Sequence, residues 1–128
     1  MSKYGNTKCQ YMGIVFDSKH EMERYRDLYM MQRAGEITDL RTQVPYLLIP
    51  PQFDDAVAVE LADLPAGEKK KKKKPQLLER KCEYIADFVY RDSDGRLVVE
   101  DAKGVRTKEY LIKRKLMLYM HKIRVVEV

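Results

Sequence analysis

The segment from Glu79 to Lys103 constrains the fold more tightly than any other part of the chain. Residues 79–90 (ERKCEYIADFVY) are rich in β-branched and aromatic side chains and read as a strand. Asp92-Ser93-Asp94-Gly95 supplies a turn, and residues 96–103 (RLVVEDAK) form the returning strand. A three-residue loop, Ser93-Asp94-Gly95, with glycine at its left-handed position, sets Asp92 against Arg96. Counted back in antiparallel register, Asp87 then faces Asp101. Side chains alternate along a strand, so Lys103 shares the face of Asp101 while Glu100 points the other way. A two-residue loop would instead pair Asp87 with Ala102 and disperse the group, so everything downstream depends on register.

The rest of the chain frames this hairpin. Residues 1–12 are polar with few apolar anchors and are expected to form a loose arm. Ser18-Lys19-His20-Glu21 is a capping-box pattern, opening a helix that runs to about Ala34 and stops at Gly35. Residues 38–49 read as a strand, with Pro45 marking an edge or bulge. Residues 50–78 hold four of the five prolines, an acidic patch and the six consecutive lysines Lys69, Lys70, Lys71, Lys72, Lys73 and Lys74. We read them as a long insertion loop between paired strands. A helix is expected from about Thr107 to His121 and a last strand over 123–128. The expected fold class is therefore α/β, one domain over residues 1–128, with the order helix, three strands, helix, strand and a mixed central sheet.

Charge narrows the function classes. The net charge is +5, but without the lysine run it is −1, so the overall basicity belongs to one loop. The segment from Lys103 onward is +6, with Lys108, Lys113 and Arg114 among its cations. A basic segment beside an acidic body suits a surface that meets a polyanion. No apolar run approaches the roughly 18 residues of a membrane span, and there is no signal-like N-terminus. Two cysteines, Cys9 and Cys82, make neither a disulfide framework nor a four-ligand metal site, and the expected setting is cytoplasmic.

Two facing carboxylates repel one another, and Ile85, Phe88, Val98 and Val99 around them leave little room for water. Lys103 offsets part of the charge; a hard divalent cation with oxygen ligands would offset more. The same trio would also make a salt-bridged cluster on a solvated sheet face, which is the commoner outcome for an arbitrary hairpin. Glu21 falls on the apolar stripe of the first helix with Tyr25, Leu28 and Gln32, whereas Glu23, Arg24, Arg26 and Asp27 lie largely outside it. Glu21 could act as a ligand or as the capping-box glutamate, and the pattern does not separate these.

Ala86-Asp87, then Asp101-Ala102-Lys103 followed by Gly104, resembles the PD-(D/E)XK signature of restriction-endonuclease-like nucleases. Phe16-Asp17-Ser18-Lys19-His20-Glu21 is similar to the helix-borne glutamate motif of many members. More narrowly, residues 3–49 and 79–128 look like small phage-encoded proteins of that superfamily, often regarded as endonucleases or Holliday-junction-resolvase-like enzymes. The resemblance implies a restriction-endonuclease-like core and a bacterial host cytoplasm. It further implies Asp87, Asp101, the Ala102 carbonyl and Glu21 around Mg²⁺ (or Mn²⁺), with Lys103 as the catalytic lysine. Ala86 stands where the motif's name has proline. Glu100 could be aligned as the motif acid, but spacing and parity favour Asp101.

The activity so implied is metal-dependent hydrolysis of DNA phosphodiester bonds, with branched DNA as the expected substrate. A homodimer would suit symmetric cutting. The rival from another class is a non-catalytic DNA-binding or packaging accessory protein that keeps the fold. Lys108, Lys113 and Arg114 on the second helix, and Lys69–Lys74, are the candidate phosphate contacts. Gln43 could reach the site from the first strand, although such a residue is usually solvated. His20 and His121 read as surface histidines.

Overall fold

A computed structural model describes residues 8–54, 75–102 and 105–128; the lysine run and Lys103 lie outside them. Residues 1–7 of the expected arm also lie outside them, and its remainder enters a hairpin. Strand β1 (Cys9–Tyr11) pairs antiparallel with β2 (Ile14–Phe16), and Tyr11 faces Ile14. The two-residue loop, Met12-Gly13, has φ of 51° and 79°, the pair of positive values that a type I′ turn requires. Methionine is an uncommon residue at that position, so the sequence carries no mark of the turn.

Helix α1 spans Lys19–Arg33. Its N-cap is Ser18, whose Oγ accepts the Glu21 backbone N–H at 3.1 Å, satisfying one of the N–H groups that a helix start leaves over. Past Ala34 the chain turns at Gly35, φ 79°, where a side chain would be strained. Strand β3 (Thr38–Ile49) follows with the bounds the sequence predicts.

The hairpin at the centre of the sheet also has the expected register. Strand β6 (Cys82–Arg91) pairs antiparallel with β7 (Leu97–Asp101) through Phe88/Glu100, Val89/Val99, Tyr90/Val98 and Arg91/Leu97. Asp92 closes the loop, donating its N–H to the Arg96 carbonyl and accepting the Gly95 N–H, while its Oδ1 takes the N–H groups of Asp94 and Arg96. Gly95, φ 79°, sits at the left-handed position. Helix α2 (Lys108–His121) starts at Thr107, whose Oγ1 caps the Tyr110 N–H, and ends at Lys122 in the left-handed conformation. Strand β8 (Val126–Glu127) then pairs parallel with β7. The resulting four-stranded sheet, ordered β3-β6-β7-β8, is mixed, in an α/β chain. The final strand is shorter than expected.

Phe16, Leu28, Ile37, Phe88 and Tyr90 form a buried cluster, with Tyr11, Ile14 and Tyr25 packed against it. Tyr25 of α1 stacks on Phe88 of β6, ring centroids 6.2 Å apart. Tyr110 of α2 meets Tyr84 of β6 at 6.4 Å. Three consecutive buried residues, Phe88-Val89-Tyr90, mark a stretch of strand covered on both faces.

The chain divides into two compact units, one from Met1–Tyr46 with Tyr84–Val128, the other Leu47–Glu83. Within the second, β4 (Gln52–Phe53) pairs antiparallel with β5 (Leu77–Glu79), so the expected insertion loop is bounded by a short ladder. Among the described residues, no helix is long and apolar enough to cross a membrane.

Candidate metal and nuclease site

Three backbone elements bring side chains together at one end of the β6–β7 hairpin. Helix α1 contributes Glu21 from its first turn, buried at 7% exposure. Strand β3 contributes Gln43, and β6 contributes Asp87. The Gln43 Nε2 lies 3.2 Å from Glu21 Oε1 and 3.3 Å from Asp87 Oδ1. Ionised carboxylates only accept hydrogen bonds, so it is the NH₂ end of the amide that must face them. The other oxygen of Asp87 accepts the Ala102 backbone N–H at 2.9 Å, which fixes the carboxylate against the end of β7. Thus the backbone half of the predicted capping box forms, while the Glu21 side chain meets Gln43.

Asp101 and Glu100 are adjacent, both 1% exposed, and have different partners. Asp101 accepts a short hydrogen bond from the Tyr84 hydroxyl. Burial pushes the Tyr84 phenol well above its ordinary range, and the hydrogen bond to Asp101 adds to this, so Tyr84 remains a proton donor at neutral pH. The charge of Asp87 acts on the same phenol in the same direction. Tyr110 is raised by burial first and by the Asp101 charge next.

Glu100 accepts two hydrogen bonds from Arg24, at 2.8 and 2.7 Å, and a short one from the Tyr90 hydroxyl. The Tyr90 phenol is pushed up to about 12, by burial first and then by this bond. Arg24, itself half-buried, thus pairs with a buried carboxylate, although the helical stripe left it outside. Glu100 is occupied in joining α1 to β7.

Of the candidate site residues, the structure links Glu21 and Asp87 through Gln43 and sets the Ala102 backbone beside Asp87. Asp101 is placed on Tyr84. Lys103, and the phosphate-contact candidates Lys69–Lys74, fall outside the described residues. On α2, Lys113 pairs with Glu109 at 3.1 Å, and Arg114 donates to Glu127 at 2.6 Å. Lys108 is exposed in the first turn. His20 is exposed, its Nε2 2.8 Å from the Val128 carbonyl oxygen, and His121 meets the Tyr46 ring edge-on.

Tyr84 gave no signal in the sequence, being one aromatic among several in a strand. Gln43 gave a faint one, a lone amide between Thr42 and Val44.

Among the described residues, no group of three or more His, Cys, Asp or Glu side chains stands ready to hold a metal ion. The donor chemistry nevertheless fits a hard divalent cation. Two carboxylates, Glu21 and Asp87, converge on a single hydrogen-bond donor, the part a cation would take between them. No curated protein and no solved structure matches the chain. The chain does match, over residues 1–127, the family described as protein of unknown function (DUF1064), and it belongs to that family.

Proposed function

We propose that the chain is a divalent-metal-dependent deoxyribonuclease of the PD-(D/E)XK type that hydrolyses phosphodiester bonds. The observation that carries this reading is the convergence of Glu21 and Asp87 on one amide beside a hairpin that pairs Phe88 with Glu100. Glu21, Asp87 and Asp101, with the Ala102 carbonyl, would hold Mg²⁺ or Mn²⁺. Such a cation supplies positive charge for polarising a phosphoryl oxygen and lowers the pKa of an attacking water.

The chain's own residues prepare the site. The Ala102 N–H orients Asp87, so that Oδ1 is directed towards Glu21 and Gln43. Tyr84 orients Asp101 and shields it from water. Lys103, two residues past Asp101 in sequence, is assigned the role of steadying the nucleophile and the developing charge on phosphate. Branched DNA is the favoured substrate class, on the resemblance to junction-resolving enzymes. A homodimer would place two sites on two strands, and α2 presents Ile112, Leu118, Tyr119 and Met120 to solvent as apolar surface for it.

The test is cleavage of labelled four-way-junction, flap and linear duplex DNA with Mg²⁺ or Mn²⁺. Asp87→Asn, Asp101→Ala and Lys103→Ala proteins are run alongside. The unmodified protein is expected to cut, and each variant to lose more than the roughly 10–100-fold that outer-sphere partners of a metal are worth. Equal inertness of all four proteins, with DNA still bound, would instead assign the chain to the accessory class.

A further inference from the structure

Gln43 has an unusual backbone. Its φ is 53°, in the interior of the 12-residue strand β3. Left-handed geometry costs a non-glycine residue on the order of 1–3 kcal/mol and persists only where its surroundings enforce it. The other described non-glycine residues with positive φ have ordinary settings. Met12 is in a two-residue turn, Asp39 is the second residue of β3, and Lys122 is a helix C-cap. Gln43 alone among them adopts this conformation well inside a strand, and its side chain bridges the two carboxylates.

That placement has a chemical consequence. A primary amide has two N–H donors on one nitrogen, so it can serve two anions at once without carrying charge. Glu21 is buried, and its charge would otherwise face that of Asp87 with less screening than in water. The donor end of Gln43 therefore occupies the space between them and satisfies the oxygens that a cation would need. A cation entering there meets the partly positive NH₂ group and must displace it. The terminal torsion of glutamine is broad and roughly two-fold, so the amide can swing away at little cost.

We propose that Gln43 is a positioning residue acting as a placeholder for the cation. It spaces the Glu21 and Asp87 carboxylates while the site is empty, and it weakens metal uptake because it must be displaced. The proposal rests on the nuclease reading above, since it assigns these carboxylates to the metal. It makes β3, which carries none of the acidic ligands, a part of the site that tunes metal affinity.

Mn²⁺ binding to the full-length protein, measured by calorimetry, tests this alongside thermal unfolding of the metal-free protein. Gln43→Met keeps the side-chain length and removes the amide. Gln43→Gly removes the side chain and suits the left-handed backbone, so it guards against a variant that fails to fold. Both variants are expected to bind Mn²⁺ about tenfold more tightly, the weight of one hydrogen bond to a charged group. Metal-free Gln43→Met should also unfold about 3 °C lower or more.

If the unmodified protein binds Mn²⁺ and both variants bind it equally or more weakly, the placeholder role is overturned and the nuclease reading stands. If the unmodified, folded protein takes up no Mn²⁺, the nuclease reading fails and the placeholder role falls with it.

Discussion

Glu100 and Asp101 are sequence neighbours, equally buried, and the difference between them lies in their partners. Glu100 is held by a bidentate Arg24 and by Tyr90. Removing only the cation leaves a carboxylate deep in the fold facing little but a phenol. Arg24→Met is therefore expected to cost about 3–5 kcal/mol, read as a lower urea midpoint. The triple change Arg24→Met, Tyr90→Phe, Glu100→Leu removes every polar member at once and should recover most of that loss. A triple variant as unstable as the single one would show that the network does more than compensate its own burial. At this scale the sequence was legible where geometry is local. Strand parity distinguished Glu100 from Asp101 correctly, because alternation follows from the backbone alone. It could not show that Arg24 turns inward, since that depends on which residue β7 places above α1. Nor could it show the conformation of Gln43, because glutamine does not announce positive φ as glycine or asparagine does.

Among the elements, α1 and β3 were readable nearly to the residue, as capping and turn chemistry mark their ends: Ser18 at one boundary and Gly35 at the other. β8 was overestimated, because apolar composition extends over 123–128 while only Val126 and Glu127 pair with β7. The short strand is also tied down by Glu127, bound by Arg114 of α2 at 2.6 Å and by Arg106 at 2.6 Å. The hydrogen bond from Arg114 keeps its carboxyl below the ordinary value of 4.5, against a smaller opposing effect of burial, with Arg106 adding to the lowering. A depressed carboxyl binds its proton less readily in the folded chain than in the unfolded one. The stability it contributes is thus present above pH 4.5 and lost as pH falls through the lower folded value. Glu127→Gln cannot titrate. The gap in melting temperature between unmodified and variant protein should therefore be widest near pH 6 and narrow towards pH 3. A gap that stays constant over that range would mean the arginines do not act through the charge of Glu127.

At the scale of the whole molecule, the candidate site draws on parts of the chain far apart in sequence: Glu21, Gln43, Asp87 and the end of β7. The hairpin that carries Asp87 and Asp101 was legible because its strands and turn are contiguous. The bridge between Glu21 and Asp87 was not, because it is made by a strand whose position relative to β6 no local pattern encodes.

The parallel pairing of β7 with β8 has a consequence for how the sheet is expected to assemble. β6 and β7 close over three residues, a short search, whereas β8 reaches β7 only across the length of α2 and carries the larger loop-closure entropy. Docking of β8 is then expected to follow the rate-limiting barrier to folding, with the contacts of Val125, buried beside it, forming after that barrier. Val125→Ala should accordingly speed unfolding while leaving the refolding limb of a denaturant chevron almost unmoved. A slowed refolding limb would place β8 in the nucleus. If β8 docks last, the strand that ends in Asp101 gains its second neighbour only in the final stage of folding, and that edge of the sheet is the first to be uncovered.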